Sequence, residues 1–243
     1  MQHCNDLSLN NEHEIFKLSF NGQIEGFNSY EEEISRFPTD PPIDNPKGTY
    51  MFYSSGTTGQ PKGIKWPLLD EQIEADHAHY LFHKELWDYD ENSISLVSSP
   101  LYHAAPAHMA LTGHAFGGTV VMMPKFDAED ALRVIEKYKI THGQWVPTQF
   151  MRMYKLPEEV KSQYDVSSLK VIKHAAAPCP VELKHKMIDW WGNIFYEYYS
   201  GSEGIGMTHA NPDQWLKFPG TVGKPLIGIL HICDEQGHEV PIG

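Results

Sequence analysis

The sequence predicts an α/β fold, a mainly parallel sheet flanked by helices and ending in a C-terminal β-hairpin. Three observations carry that expectation. From Ser93 onward, short apolar runs of strand character alternate with segments of helical periodicity. Those helical segments carry start and stop residues at their ends. No stretch recurs at a fixed period, so a repeat architecture is not expected.

Residues 1–48 are acidic, rich in turn-formers and close on the run FPTDPPIDNPKG, which reads as an irregular lead-in with at most short strands. Residues 49–243 then read as one domain. Thr49–Ser54 is a short strand opening into a Gly/Ser/Thr loop, and Leu68–Leu86 a long helix. Ser93–Ser98 reads as a strand, Pro106–Ala115 as a short helix and Gly118–Met122 as a buried strand. Asp127 caps the next helix, where Ala131, Val134, Ile135 and Tyr138 share one face. Thr141–Val146 is a strand, with Pro147 at the start of a helix. Leu169–His174 follows as a strand. Pro180 opens a helix that Gly192 closes. Ile194–Tyr199 is the next strand, and Ile229–Cys233 with His238–Pro241 forms the hairpin across Asp234–Gly237.

Composition narrows the function classes. The chain has 243 residues, 41% hydrophobic and 21% charged, as an ordinary globular protein does. Its formal net charge of -13 argues against sequence-independent nucleic-acid binding and against adhesion to an anionic membrane. A polyanion such as ATP is still admissible, because a few local donors outweigh a distant net charge. Cys4, Cys179 and Cys233 are too scattered for a disulfide framework or a CxxC metal site, which fits a cytoplasmic setting. No basic-then-apolar leader opens the chain. Its longest apolar tract, Met109–Pro124, is broken by Gly113, His114, Gly117 and Gly118, whereas a bilayer span needs roughly 20 apolar residues.

The chemistry concentrates in Ser54–Gly63, SSGTTGQPKG, with four hydroxyls, three glycines and one lysine. Glycine lets the backbone approach an anion, hydroxyls donate to phosphate oxygens, and Lys62 adds a point charge. The P-loop spacing G-x-x-x-x-G-K-[ST] does not fit, because Pro61 stands where its second glycine belongs. A plain surface loop is the bland alternative.

This stretch, MFYSSGTTGQPKG, resembles the phosphate loop of the adenylate-forming (AMP-binding) enzymes: acyl-CoA synthetases, firefly-type luciferases and peptide-synthetase adenylation domains. Further segments resemble that family's later motifs in order. They are Pro100–His103, His174–Pro178 (HAAAP), Tyr198–Glu203 (YYSGSE) and Pro219–Pro225. The resemblance implies the large N-terminal domain of such an enzyme, in part only, in the branch that handles fatty and related acids. It implies that Ser54, Ser55, Gly56, Thr57, Thr58, Gly59 and Lys62 hold the β- and γ-phosphates of ATP. Ala175, Ala176, Ala177 and Pro178 would shape the adenine slot, and Tyr198, Tyr199, Ser200, Gly201 and Ser202 would bind the nucleotide, Tyr199 by stacking. Glu203 would bind Mg²⁺, and His103 would face the acyl carboxylate; with Thr57 these make the catalytic set. Departures from the pattern are the alanines at Ala175–Ala177, where one or two glycines are usual, Ser200 in place of glycine, for which Gly201 is expected to supply backbone freedom, and Ser202 in place of threonine, which keeps the hydroxyl.

The implied reaction has two steps. A carboxylate attacks the α-phosphorus of ATP to give acyl-adenylate and pyrophosphate, and coenzyme A then displaces AMP. The chain ends before the family's ribose-binding aspartate, hinge and late lysine, so the expectation is a fragment: it binds nucleotide weakly and turns over poorly. A catalytically incomplete nucleotide-binding module, and an adenylation domain or luciferase-like enzyme, stay open as alternatives. Acids of different kinds would be told apart around Tyr102–His108 and Gln144–Gln149. Two further clusters invite blander readings. His77, His79 and His83 sit on a helix, the last two at the spacing of a zinc pair, but without a third ligand. Cys179, between two prolines, has no basic neighbour, and Trp190 and Trp191 are expected in the core.

Overall fold

The computed structural model describes residues 16–40, 48–54, 60–68 and 77–241, with side chains in the helix that starts at 77 described from Phe82 on. The chain divides into residues 1–46 and 47–243. In the first unit, β1 (Leu18–Ser19) and β2 (Asn28–Ser29) pair in parallel, and α1 (Tyr30–Ile34) follows. Ser29 caps α1 by accepting from the Glu32 N–H, and Glu31, Glu32 and Glu33 sit in its first turn, where the helix dipole favours them.

The second unit begins with a hairpin, β3 (Met51–Ser54) against β4 (Lys62–Lys65). Next come α2 (His77–Trp87), β5 (Ile94–Val97), α3 (Ala104–Ala115), β6 (Thr119–Met122), α4 (Ala128–Tyr138), β7 (His142–Trp145) and α5 (Pro147–Tyr154). The chain continues through α6 (Glu158–Lys161), β8 (Val171–His174), α7 (Val181–Trp191), β9 (Phe195–Ser200), β10 (Met207–Ala210), α8 (Pro212–Lys217) and β11 (Lys224–Ile227). The sheet runs β11-β10-β9-β8-β7-β5-β6. From β9 to β6 all neighbours are parallel, while β10 and β11 join antiparallel. The predicted parallel α/β architecture is what the chain forms.

Capping chemistry explains several boundaries. Asp127 accepts from the Glu129 and Asp130 N–H groups and starts α4; Lys139, at φ 51°, ends it. The α4 face is buried through Ala131, Leu132, Val134 and Ile135. Tyr138, expected on that face, stays 43% exposed, its ring beneath the Lys137 ammonium. Gly192, at φ 91°, closes α7 as expected. The C-terminal hairpin is rudimentary: one bridge pairs Cys233 with Glu239, and the Val240 N–H donates to the Ile232 carbonyl at 2.8 Å. Strands β4, β10 and β11 and helices α1, α6 and α8 were not anticipated. Of the long helix predicted over Leu68–Leu86, residues 69–76 lie outside the described residues.

Strand alternation sends side chains to two differently covered faces. On one, Leu96, Trp145, Ile172 and Phe195 pack with α4, α5 and α7 in the main core, and Trp191 joins them. On the other, Val171 packs with Trp87 and Tyr89, and Val97 with Met109 and Ala110 of α3. With both faces covered, every residue of β8, Val171-Ile172-Lys173-His174, is buried.

Candidate functional site

The parallel strands end together, and the motif loops leave those ends, where ligands sit in such sheets. The chain reverses its order across the sheet between β5 and β7. Gln149 spans that point: its amide donates to Ser98 Oγ at 3.3 Å and Ser99 Oγ at 3.2 Å, while its carbonyl accepts from the Val146 N–H at 3.1 Å. Beyond Ser99, His103 is the exposed N-cap of α3, its ring 4.5 Å from that of Tyr102.

The β3–β4 hairpin carries the predicted phosphate segment differently from a strand-to-helix loop. Ser54 and Lys62 are direct cross-strand partners, so they flank the mouth of the loop; Ser55, Gly56, Thr57, Thr58 and Gly59 lie outside the described residues. The hairpin is held at two points. Tyr50 and Phe52 pack on His108 of α3, with ring centroids 5.2 and 5.3 Å away. Past β4, the Trp66 ring occupies the space beside Gly204, where any Cβ would overlap it; Gly204 also has φ 73°.

That second contact brings the hairpin to the loop after β9. There Tyr199 is 55% exposed and Ser202 and Glu203 are exposed, with Glu203 making no hydrogen bond to a described residue. Ser200 braces the loop by donating to the Gly206 carbonyl at 2.8 Å. The left-handed backbone falls at Gly204 and Gly206, not at Gly201 as expected, because the turn is made three residues later. After β8, Ala175 is half-buried while Ala176, Ala177 and Pro178 are exposed. Ala176 has φ 72°, a left-handed conformation that costs an L-residue roughly 1–2 kcal/mol.

Beneath these loops is a cavity of about 410 Å³. Its wall includes Trp87 of α2, His108 and Met109 of α3, Gln144 of β7, Lys173 of β8 and Tyr198 of β9. Gln144 donates to the Tyr198 hydroxyl at 2.5 Å, and burial pushes the Tyr198 phenol up to about 12. Tyr198, expected at the nucleotide, thus faces this cavity, while Tyr199 alternates to the other side. Lys173 was missed by sequence reading. The only signal was a lysine inside an otherwise apolar run of a central strand.

His83 is buried beside Trp87, with ring centroids 5.0 Å apart; the side chains of His77 and His79 lie outside the described ones. Among the described residues no group of three or more His, Cys, Asp or Glu is placed to hold a metal ion. Burial, with Glu197 adding to it, pushes the Cys179 thiol up to about 11, which keeps it protonated and a poor nucleophile. No helix among the described residues is long and apolar enough to cross a membrane.

Comparison with known proteins agrees with this fold. The profile of the AMP-binding enzyme family matches residues 7–243. The chain is 31% identical over 177 residues to 4-coumarate–CoA ligase 2 of Petroselinum crispum, covering 70% of this chain and 30% of that protein. It is 30% identical over 204 residues to a long-chain-fatty-acid–CoA ligase of Bacillus subtilis, covering 80% and 34%. It spans about a third of the length of these relatives. In fold it is similar to the anthranilate CoA ligase AuaEII, solved in complex with anthranoyl-AMP, with a TM-score of 0.74 at 24% identity over 93% of this chain and 44% of that one. By the match that runs along nearly its whole length, the chain belongs to the AMP-binding enzyme family.

Proposed function

We propose that this chain carries the nucleotide and acid sites of an ATP-dependent carboxylic acid–CoA ligase. What supports the reading is adjacency: the hairpin bearing Ser54 and Lys62 packs on His108 of α3, Trp66 past β4 lies against Gly204 in the loop after β9, and the alanine loop leaves β8, the parallel neighbour of β9. Ser54 and Lys62 at the hairpin mouth would meet phosphate oxygens, together with Ser55, Gly56, Thr57, Thr58 and Gly59. The exposed ring of Tyr199 would stack on adenine beside Ala175–Pro178, with Gly201 and Ser202 along the α-phosphate. Mg²⁺ fits Glu203, a free carboxylate of the hard-oxygen kind that the ion takes beside phosphate oxygens and water, and it would neutralise phosphate charge there. His103, at the positive end of a 12-residue helix, would donate to the acid's carboxylate oxygen as charge shifts during attack on the α-phosphorus. Coenzyme A is the acceptor in the second step, as in the ligases the chain resembles.

The acid has an apolar body that a cavity of about 410 Å³ can enclose. A fatty acid and an aromatic acid are the two candidates, since ligases named for each match at near-equal identity, 31% and 30%. The cytoplasm, where the family's co-substrates are abundant, is the proposed location. Calorimetric titration of the protein with MgATP tests the nucleotide site. Binding should be measurable and should weaken by tenfold or more in Tyr199→Ala, since stacking on an exposed ring is worth about 1–3 kcal/mol. Absent binding, or equal affinity in the variant, would sink the reading.

A further inference from the structure

Lys173 is the group that the proposed reaction does not use and the fold does not explain. Its side chain is only 3% exposed, on the central strand β8. Its ammonium sits 4.5 Å from the Trp87 ring centroid and 5.1 Å from that of Tyr89, and it meets no hydrogen-bond acceptor or carboxylate among the described residues. It lines the cavity, whose described wall holds no acidic side chain. A buried cation is costly unless paired, and ring faces return only part of that cost. Burial alone pulls its pKa from the ordinary 10.5 of lysine to about 7.

We propose that the cavity selects acids bearing an oxygen acceptor at the end remote from the reacting carboxylate, and that Lys173 recognises that acceptor. The inference rests on the reading of this cavity as the acid site. Depth supports the assignment of ends. Lys173 is level with Tyr196 on β9, four residues before Ser200, so its Cα lies about 13 Å below the end of that longer strand, though only one residue before the end of β8 itself. The reacting carboxylate belongs near the loops, so Lys173 faces the far end of the acid. A purely apolar tail would leave the ammonium without water or acceptor; a hydroxyl or second carboxylate supplies the missing partner. The neighbouring polar groups cannot do so in its place. Gln144 and Tyr198 are bonded to one another. The titratable groups around Lys173 are His83 of α2, Tyr89, His108 of α3, His142 of β7 and Tyr198; the carboxylates of Asp88 and Asp90 act on His142, while Lys173 itself feels burial alone.

The test uses matched acids titrated into protein saturated with MgATP: cinnamic against 4-hydroxycinnamic acid, and octanoic against octanedioic acid. In at least one pair the acceptor-bearing acid should bind tenfold tighter or more. In Lys173→Met the preference should collapse to within about twofold, with the parent acid's affinity kept. The pair that discriminates tells phenol from carboxylate. Titration at pH 7.8 in two buffers of different ionisation enthalpy adds a readout that a structural role would not move. Wild type should take up protons on binding the acceptor-bearing acid, as Lys173 recharges, and the variant should not. Equal affinities within both pairs, or a preference that survives Lys173→Met, overturns the inference while the site reading stands. Failure of MgATP or of every acid to bind removes both.

Discussion

Two lysines eleven residues apart in the chain are buried on opposite faces of the same sheet, and they meet opposite fates. Lys184 of α7 is 1% exposed and reaches Glu197 of β9 at 2.9 Å, with its ammonium also 4.3 Å from the Trp215 ring centroid. Lys173 of β8 is comparably buried, on the cavity face, and reaches only aromatic rings. Burial lowers both pKa values, but for Lys184 the Glu197 carboxylate opposes the shift. Beside Lys184, His174 is completely buried with its Nε2 3.5 Å from the same carboxylate, and burial, reinforced by Lys184, holds it well below the usual histidine range. A closed pair of this kind ties α7 to β9 and belongs to the architecture. An open cation facing a cavity is a binding element waiting for its partner.

The comparison breaks most visibly at Lys184. Lys184→Met leaves Glu197 buried without its cation, and a stability loss of about 3–5 kcal/mol is expected in urea titrations at pH 7. The double variant with Glu197→Leu should recover most of it. A single-variant cost below ~1 kcal/mol would mean that the pair is not closed.

Lys173→Met should go the other way. The folded-state pKa of about 7 lies below the ordinary 10.5, so between these values the unfolded chain binds more protons and stability rises with pH. The penalty is therefore fully present below pH 7 and gone above pH 10.5. The variant should be more stable than wild type by on the order of a few kcal/mol at pH 6, and this gain should shrink toward pH 10. A pH-independent difference would count against an uncompensated ammonium.

The smallest expected effect lies where β8 leaves the sheet. Ala176→Gly should raise stability by about 1 kcal/mol, because glycine takes φ 72° without the Cβ penalty. A loss instead, read from thermal melts, would show that the methyl group is held by packing.

Much of this was legible in the chain. The order of strands and helices, the Asp127 cap, the Gly192 stop and the motif loops at strand ends could all be read locally, because period, capping and turn chemistry act over a few residues. Strands β10 and β11 were not legible: MTHA and KPLI carry little alternation, and β11 is exposed throughout, so only pairing to a neighbour makes them strands. Likewise β4 is a strand because Lys62–Lys65 folds back on β3.

Sequence by itself determined the fold class and the family motifs, since both are written in residue types at fixed spacing. Tertiary structure alone decided the characters of Lys173 and His174. Adjacent in β8, they point to opposite faces, one into a cavity and one toward a buried ion pair. A strand's alternation can be read from sequence, but what covers each face is set by helices α2 and α7, contributed from residues some hundred positions apart.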